Sequence, residues 1–209
     1  MIVHTLPVGI IQTNCYIVTC ERTSKAVVID PGGDADVILD LIERENLIVE
    51  YVLNTHCHFD HIGANGEIVA ATGAKLALHP AEVQLLEFGG GAAMFGMPAI
   101  RSPLPDTELG AGRRLSVGGL MFDVLLTPGH SPGGISFYVE DGKAVFVGDA
   151  LFAGGVGRTD LPGSDGAQLL SSIREVLFAL PDDTVVYPGH GPATTIGTER
   201  RSNPWVGGY

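Results

Sequence analysis

Five apolar stretches of the sequence each end in an aspartate or a histidine, and this recurrence constrains the fold more than any other feature. The stretches are predicted to be β-strands because they are rich in Val, Ile, Leu, Tyr and Phe and are bounded by turn residues. The closing residues are Asp30 after "AVVI", His56 after "YVLNT", His130 after "FDVLLTPG", Asp149 after "AVFVG" and His190 after "TVVYPG". Strand ends that share one edge of a sheet bring such side chains together. The pattern therefore predicts a functional site at that edge.

The segment "THCHFDH" holds three of the seven histidines of the chain. His56 and His58 are two residues apart at a predicted strand end, and extended side chains alternate, so both are expected to bind one metal. Asp60 and His61 follow at the predicted start of a helix, where the turn of the chain directs them to a second metal. Neutral imidazoles and carboxylates suit zinc, and also iron or manganese. Cys57 faces the opposite way, which favours a structural role for it.

The remaining pattern predicts one domain that spans residues 1–209, since 209 residues with 45% hydrophobic side chains can bury a substantial core. Helices are predicted over residues 34–46, 62–73 and 165–180. Residues 88–109 are rich in Gly and Pro and are predicted to form a long surface loop, for which a lid and a disordered segment are both open readings.

Charge and hydropathy exclude several classes of partner. The net charge of −12 and a pI near 4.8 argue against a nucleic-acid partner, because scattered basic residues cannot displace many counterions. No apolar run approaches the ~18 residues that cross a bilayer, and no basic segment followed by an apolar one begins the chain, so no membrane partner and no export are expected. Three cysteines, an odd number, fit a reducing compartment. We expect a cytoplasmic protein.

The quoted motifs carry a family resemblance. "THCHFDH", followed by "TPGHSPGG", "VFVGDALF" and "YPGHGP", resembles the metallo-β-lactamase superfamily over nearly the whole chain and in the family's order. "GGVGRTDLPGSD" and "PGHGPATTIGTERRSNPW" are most similar to the short glyoxalase II-like hydrolases, also called hydroxyacylglutathione hydrolase-like proteins. The resemblance implies an α+β fold, a four-layer αββα sandwich, and a two-metal site at one edge.

The resemblance also implies a role for each candidate residue. It implies a first metal held by His56, His58 and His130, a second held by Asp60, His61 and His190, a bridging Asp149, and hydrogen-bond support from Asp30. Two divalent ions, zinc first and otherwise iron or manganese, would activate a shared water as the nucleophile. The expected reaction is hydrolysis of a hydroxyacyl thioester such as S-lactoylglutathione, whose thiolate leaves with little protonation because its pKa is about 8.5. Asp60 is the hypothetical proton acceptor.

Substrate recognition is less constrained. Arg158 of "GRTD" is a candidate for contact with an anionic substrate, although an exposed, solvated arginine is an equal alternative. Full-length glyoxalase II enzymes bind glutathione through a segment beyond the last histidine ligand, whereas nineteen residues follow His190 here. The resemblance therefore does not extend to glutathione recognition. The sequence also leaves the oligomeric state open.

Other functions remain as alternatives. A mononuclear iron persulfide dioxygenase shares the scaffold and a "GRTD" segment, and a lactonase or an esterase would use the same metal centre. A β-lactamase is disfavoured because the common lactamases place a cysteine where Asp149 stands, and a nuclease is disfavoured by the charge. The motif "GHSPG" resembles a serine-hydrolase elbow, but a strand follows it and Pro132 has no N–H for an oxyanion hole. His4 and His79 are expected to be structural.

Overall fold

A computed structural model describes residues 1–208, and these divide into two compact units. The first unit comprises residues 1–109 and 116–120, and the second comprises residues 110–115 and those from 121 onward. Both units contain strands and helices, so the predicted α+β class is confirmed. That residues 1–209 form a single domain stays a prediction.

The first unit is built on a six-stranded sheet in the order β1-β2-β3-β4-β5-β6. Its strands are β1 (Ile2–Val8), β2 (Thr13–Thr19), β3 (Lys25–Ile29), β4 (Ile48–Leu53), β5 (Lys75–Leu78) and β6 (Thr107–Glu108). The strands from β3 to β6 pair in parallel, with Ile29 opposite Leu53. Because the carboxyl ends of β3 and β4 are in register, Asp30 and the segment after Leu53 emerge at the same edge of this sheet.

Four α-helices accompany this sheet: α1 (Ala35–Arg44), α2 (Phe59–Ile62), α3 (Asn65–Thr72) and α4 (Val83–Glu87). The predicted helix over residues 34–46 is confirmed by α1. The predicted helix over residues 62–73 is shorter, and Asp60 and His61 lie in the separate helix α2 instead of at its start. The break has a tertiary cause, because the amide of Ala64 donates to the carbonyl of Pro31 at 2.8 Å and so leaves the helical pattern.

Residues 88–109 are only partly the long surface loop that the sequence predicts. Gly89–Phe95 form tight helical turns, in which Gly90 and Gly91 adopt left-handed backbone conformations. Gly89, Gly90 and Ala92 are buried, and β6 pairs with β5 at the end of the segment. Glycine permits the positive φ angles that these turns require. The glycine-rich composition therefore reflects tight backbone packing and not disorder.

A second sheet, in the order β14-β13-β10-β9-β8-β7, is formed mainly by residues of the second unit, which also contains a small two-stranded sheet, β11-β12. The strands are β7 (Arg114–Val117), β8 (Leu120–Leu126), β9 (Ile135–Val139), β10 (Ala144–Gly148), β11 (Leu151–Phe152), β12 (Gly155–Val156), β13 (Val185–Pro188) and β14 (Thr194–Thr195). Strands β10 and β13 pair in parallel. Asp149 and His190 therefore follow neighbouring strands at the same edge of this sheet.

Two helices, α5 (Gly166–Glu175) and α6 (Ile196–Ser202), complete the second unit. The prediction for residues 165–180 is confirmed over α5, which begins where the Asp165 carboxylate accepts the Gln168 amide at 3.0 Å. A short 3₁₀ turn, Leu177–Ala179, follows it. Helix α6 was not predicted, although Thr195 caps it in the same way.

Across residues 1–208, no helix has the length and apolar character needed to cross a bilayer.

Candidate metal centre

In the first unit, four predicted ligands lie together in the segment that follows β4. His56 and His58 are buried, and their ring centroids are 4.9 Å apart. Helix α2 brings His61 to His56, with ring centroids 4.0 Å apart, and places Nε2 of His61 3.2 Å from Oδ2 of Asp60. The strand ends at Leu53, earlier than predicted, so His56 and His58 lie in the segment between β4 and α2.

The buried carboxylate of Asp30 organises this segment through three hydrogen bonds. Its Oδ1 accepts the Thr55 amide at 2.8 Å, and its Oδ2 accepts the Thr55 hydroxyl at 2.6 Å. The same Oδ2 lies 3.0 Å from Nδ1 of His61. Asp30 itself has a φ of 51°, a left-handed conformation that Asp tolerates better than most residues. Asp30 therefore makes hydrogen bonds to two residues of this segment, while its support of metal ligands stays a prediction.

This network assigns the proton of each ring in it. The Thr55 hydroxyl donates its single proton to Asp30, so its oxygen accepts from Nδ1 of His56 at 3.1 Å. His61 likewise donates from Nδ1 to Asp30. In the neutral form of both rings, Nε2 then carries the lone pair that a metal requires.

Ligand-type atoms of Asp30, His56 and His61 also lie within 4.8 Å of one another. The network argues against a metal among these three residues. Nδ1 of His61 donates to Asp30, Nδ1 of His56 donates to the Thr55 hydroxyl, and the carboxylate already accepts from three donors. Asp30 is therefore suited to support ligands rather than to be one.

Asp60 is held from two sides. The Thr13 hydroxyl donates to its Oδ2 at 2.8 Å. A Cβ at Gly32 would lie 1.7 Å from the Asp60 carbonyl oxygen, so only glycine allows the backbones to approach this closely. The position of the Asp60 carboxylate is thus fixed by packing and by a hydrogen bond, while its role as a proton acceptor stays a hypothesis.

Glu82 is a site residue that the sequence did not reveal. Its carboxylate is fully buried and its Oε2 accepts the backbone amide of Cys57, between two predicted ligands, at 2.8 Å. Burial raises the pKa of the Cys57 thiol well above its ordinary value, and the nearby charges of Glu82 and Asp30 add to this. The thiol therefore stays protonated in the core, as a structural residue would. In "HPAE", Glu82 resembles an exposed acid at a helix start, and no local signal marks it as buried.

In the second unit, His130, Asp149 and His190 lie together. Oδ2 of Asp149 is 3.7 Å from Nε2 of His130 and 3.6 Å from Nε2 of His190. Two ligands about 2.1 Å from a tetrahedral ion are about 3.4 Å apart, so these spacings suit atoms that share metals. Nδ1 of His130 lies 2.8 Å from the Arg158 carbonyl and donates to it, which leaves the lone pair on Nε2. The donor set therefore fits divalent metal ions.

Arg158 contacts the site through its backbone, which the sequence did not predict. Its guanidinium pairs with the Asp160 carboxylate through two contacts of 2.7 Å. This pairing lowers the pKa of Asp160 to about 2. The side chain is exposed, and its contact with an anionic substrate stays a prediction.

Substitution of Gly157 by alanine is expected to destabilise the second unit and to lower its affinity for metal. The new Cβ would lie 1.9 Å from the Asp149 carbonyl oxygen and 3.1 Å from Nδ1 of His130. Overpacking of this kind costs about 1–3 kcal/mol. Urea unfolding and metal content measure the two effects.

Gly155→Ala is the matched control, because its Cβ would meet Phe152 at an ordinary 3.7 Å. This variant should unfold within about 0.5 kcal/mol of the parent protein. Equal losses in both variants would contradict the close approach at Gly157.

A family model described as "Metallo-beta-lactamase superfamily" matches residues 8–190. The chain belongs to the metallo-β-lactamase superfamily. The predicted fold type is therefore confirmed, and the chain is a metallo-hydrolase of this superfamily with a cluster of His and Asp residues suited to metal.

Two curated relatives align with almost the full length of this superfamily member. One is the "Probable metallo-hydrolase YqgX" of Bacillus subtilis, 39% identical over 98% of this chain and 97% of its own. The other is the "Hydroxyacylglutathione hydrolase GloC" of Haemophilus influenzae, 39% identical over 99% of this chain and 98% of its own.

Solved structures with other descriptions are also similar to this metallo-β-lactamase superfamily chain. BLEG-1, described as a B3 metallo-β-lactamase, has a TM-score of 0.93 and 39% identity, covering 99% of this chain and all of its own. TTHA1623, in a di-iron-bound form, has a TM-score of 0.88 and 42% identity, covering 96% and 98%. ETHE1 from Myxococcus xanthus has a TM-score of 0.83 and 36% identity, covering 99% and 84%. Similarity alone therefore does not select the substrate.

Proposed function

We propose that the chain is a glyoxalase II-like thioesterase, which hydrolyses a hydroxyacyl thioester such as S-lactoylglutathione at a centre of two divalent metal ions. The observation that carries the proposal is the position of Asp149, whose Oδ2 lies between the Nε2 atoms of His130 and His190 as a bridging carboxylate would. The similarity to GloC of Haemophilus influenzae supports the thioester as the bond that is cleaved.

The proposed ligand sets divide the seven residues between two ions, zinc first and otherwise iron or manganese. The first set is His56, His58 and His130, the second is Asp60, His61 and His190, and Asp149 is common to both. The di-iron form of TTHA1623 supports two ions and keeps iron among the candidates. The proposal agrees with the tautomers assigned above, since the rings of His56, His61 and His130 all present Nε2.

The bound ions would lower the pKa of a shared water and polarise the substrate carbonyl. The residues of the chain have the other tasks. Asp30 and Thr55 hold His56 in its tautomer, and Asp60, positioned by Thr13, accepts the proton of the attacking water. Addition of water to the carbonyl carbon and cleavage of the C–S bond give a carboxylic acid, which loses its proton to solvent, and a thiolate, which leaves without a dedicated acid because the pKa of its thiol is about 8.5.

Two competing activities have support of their own. The likeness to ETHE1 keeps the mononuclear iron persulfide dioxygenase as an alternative. The likeness to BLEG-1, described as a B3 metallo-β-lactamase, keeps β-lactam hydrolysis as an alternative as well. A lactonase or an esterase would use the same centre.

The cytoplasmic location and the lack of a nucleic-acid or membrane partner stay predictions.

Metal analysis and a substrate panel test the proposal on protein purified without chelators. The panel consists of S-lactoylglutathione, a lactone, a simple ester, a chromogenic cephalosporin, and glutathione persulfide with an oxygen electrode. We expect two metal ions per chain and S-lactoylglutathione as the fastest substrate. Chelation should reduce turnover more than about 100-fold, and added zinc, iron or manganese should restore it. One iron per chain with oxygen uptake, or cephalosporin hydrolysis without thioester hydrolysis, would overturn the proposal.

A further inference from the structure

A surface segment beside the predicted ligands is entirely apolar. Phe88–Ile100, "FGGGAAMFGMPAI", contains thirteen residues and no polar or charged side chain. It is nevertheless exposed, since Phe88, Met94 and Phe95 are 69%, 61% and 46% accessible to solvent. Isolated exposed apolar residues are common on protein surfaces, whereas exposed apolar side chains that contact one another can form a binding surface.

The segment packs directly on the ligand-bearing chain. A Cβ at Gly90 would lie 2.4 Å from the Phe59 amide nitrogen and 2.9 Å from the His58 carbonyl carbon, so the two backbones are in close contact. The rings of Phe59 and Phe95 are in contact, with centroids 5.3 Å apart and planes tilted by 49°. Phe59 itself lies between His58 and Asp60 in helix α2. We call Phe59, Met94 and Phe95 the apolar patch.

We propose that the apolar patch binds an apolar chain of the thioester substrate, attached on either side of the thioester bond. The inference rests on the proposed hydrolase function and narrows its substrate class. The patch begins at Phe59, which is adjacent in sequence to two predicted ligands, so a chain bound there would belong to a molecule held at the metal centre. The whole segment carries no cation that could pair with the carboxylates of glutathione.

The extent of the patch argues against the alternative occupant, a second protein chain. A stable protein interface involves about 20–30 residues on each side. The apolar segment Phe88–Ile100 has thirteen residues, three of them buried, and is smaller than one side of such an interface; the patch itself adds the partly covered Phe59 to Met94 and Phe95. A short alkyl chain is the size of group that three such side chains can cover.

Two series of thioesters test the inference on the metal-loaded protein. The acyl series contains the acetyl, butyryl and hexanoyl thioesters of N-acetylcysteamine, and the thiol series contains the acetyl thioesters of ethane-, butane- and hexanethiol. Each buried methylene contributes up to about fourfold to binding. We expect kcat/KM to rise at least about tenfold along one series, and that series identifies the side that carries the chain.

Two substitutions test whether the rise in kcat/KM depends on the apolar patch. Phe95→Ser and Met94→Ser should abolish the rise of kcat/KM with chain length and leave the metal content unchanged. Calorimetry should show that they bind a non-hydrolysable thioether, S-hexyl-N-acetylcysteamine, about tenfold more weakly. Ile48→Ser is the matched control, because Ile48 is 57% exposed and begins β4, at the end opposite the ligands. Ile48→Ser should leave the chain-length dependence of kcat/KM and the affinity for the thioether unchanged.

The outcomes separate the two proposals. Hydrolysis of S-lactoylglutathione with both series flat would overturn the inference and leave the thioesterase standing. No hydrolysis of any thioester by protein with two metals per chain would overturn both. If Phe95→Ser altered the oligomeric state but not the chain-length dependence, the patch would be a self-association surface and the inference would be wrong.

Discussion

Asp149→Asn should reduce the metal content of the proposed two-ion centre to at most one ion per chain and lower kcat by about 100-fold or more. The Asp149 carboxylate lies 3.7 and 3.6 Å from Nε2 of His130 and His190, where it can contribute a negative charge to both proposed ions. Asparagine has nearly the same shape but is neutral, and its amide nitrogen cannot bind a metal as a carboxylate oxygen does. Elemental analysis and steady-state kinetics measure the two effects.

Asp183→Asn is the matched control for this change. The same substitution in the same unit removes a charge that pairs with Lys143 at the surface, far from the strand ends that carry the ligands. The control should keep both ions and full turnover, since exposed ion pairs contribute little to stability. If Asp149→Asn also kept two ions and full activity, Asp149 would not bridge them.

Asp30→Asn should destabilise the metal-free protein by about 2–4 kcal/mol, because it removes a buried charge that accepts three hydrogen bonds. The backbone is not the cause, since Asn tolerates the φ of 51° as well as Asp does. An amide group whose oxygen accepts the Thr55 backbone N–H turns its NH₂ towards both the Thr55 hydroxyl and Nδ1–H of His61. His61 would then change tautomer and lose the lone pair on Nε2, so metal affinity should fall about 10–100-fold.

Asp34→Asn offers a control with the same local geometry. Asp34 has a φ of 47° and its Oδ2 accepts the Gly9 amide at 2.8 Å, but it is exposed and contacts no predicted ligand. Urea unfolding should place this variant within about 1 kcal/mol of the parent, with unchanged metal affinity. Losses in Asp34→Asn that equal those in Asp30→Asn would show that burial and the contact with His61 are unimportant.

The strands and the sheet-edge residues could be predicted because their signals are local. A β-branched run that ends in Gly, Pro or Asp identifies a strand and its end, and the parallel pairings then bring Asp149 and His190 to one edge. The break between α2 and α3 could not be predicted, because it depends on the Pro31 carbonyl, which is remote in sequence. The turns at Gly89–Phe95 were missed for a similar reason, since their glycines are required by close packing against His58 and Phe59.

The ligand candidates were visible in the sequence, whereas their supports mostly were not. Histidine and aspartate at strand ends are rare enough to be noticed. Glu82 and the Arg158 carbonyl act through contacts 25 and 28 residues away in sequence. A backbone acceptor has no signature in sequence at all, and Glu82 is distinguished from a surface acid only by its burial.

The hydrogen bonds of Asp30 have a consequence for how the two ions would fill their positions. One carboxylate serves His56 through Thr55 and serves His61 directly, and the proposed ligand sets assign these two rings to different ions. When an ion binds one of these two rings, the hydrogen bonds of the Asp30 carboxylate change. The carboxylate is then a different acceptor for the other ring. The two binding events are thermodynamically linked, so the second ion would bind with an affinity that depends on the first.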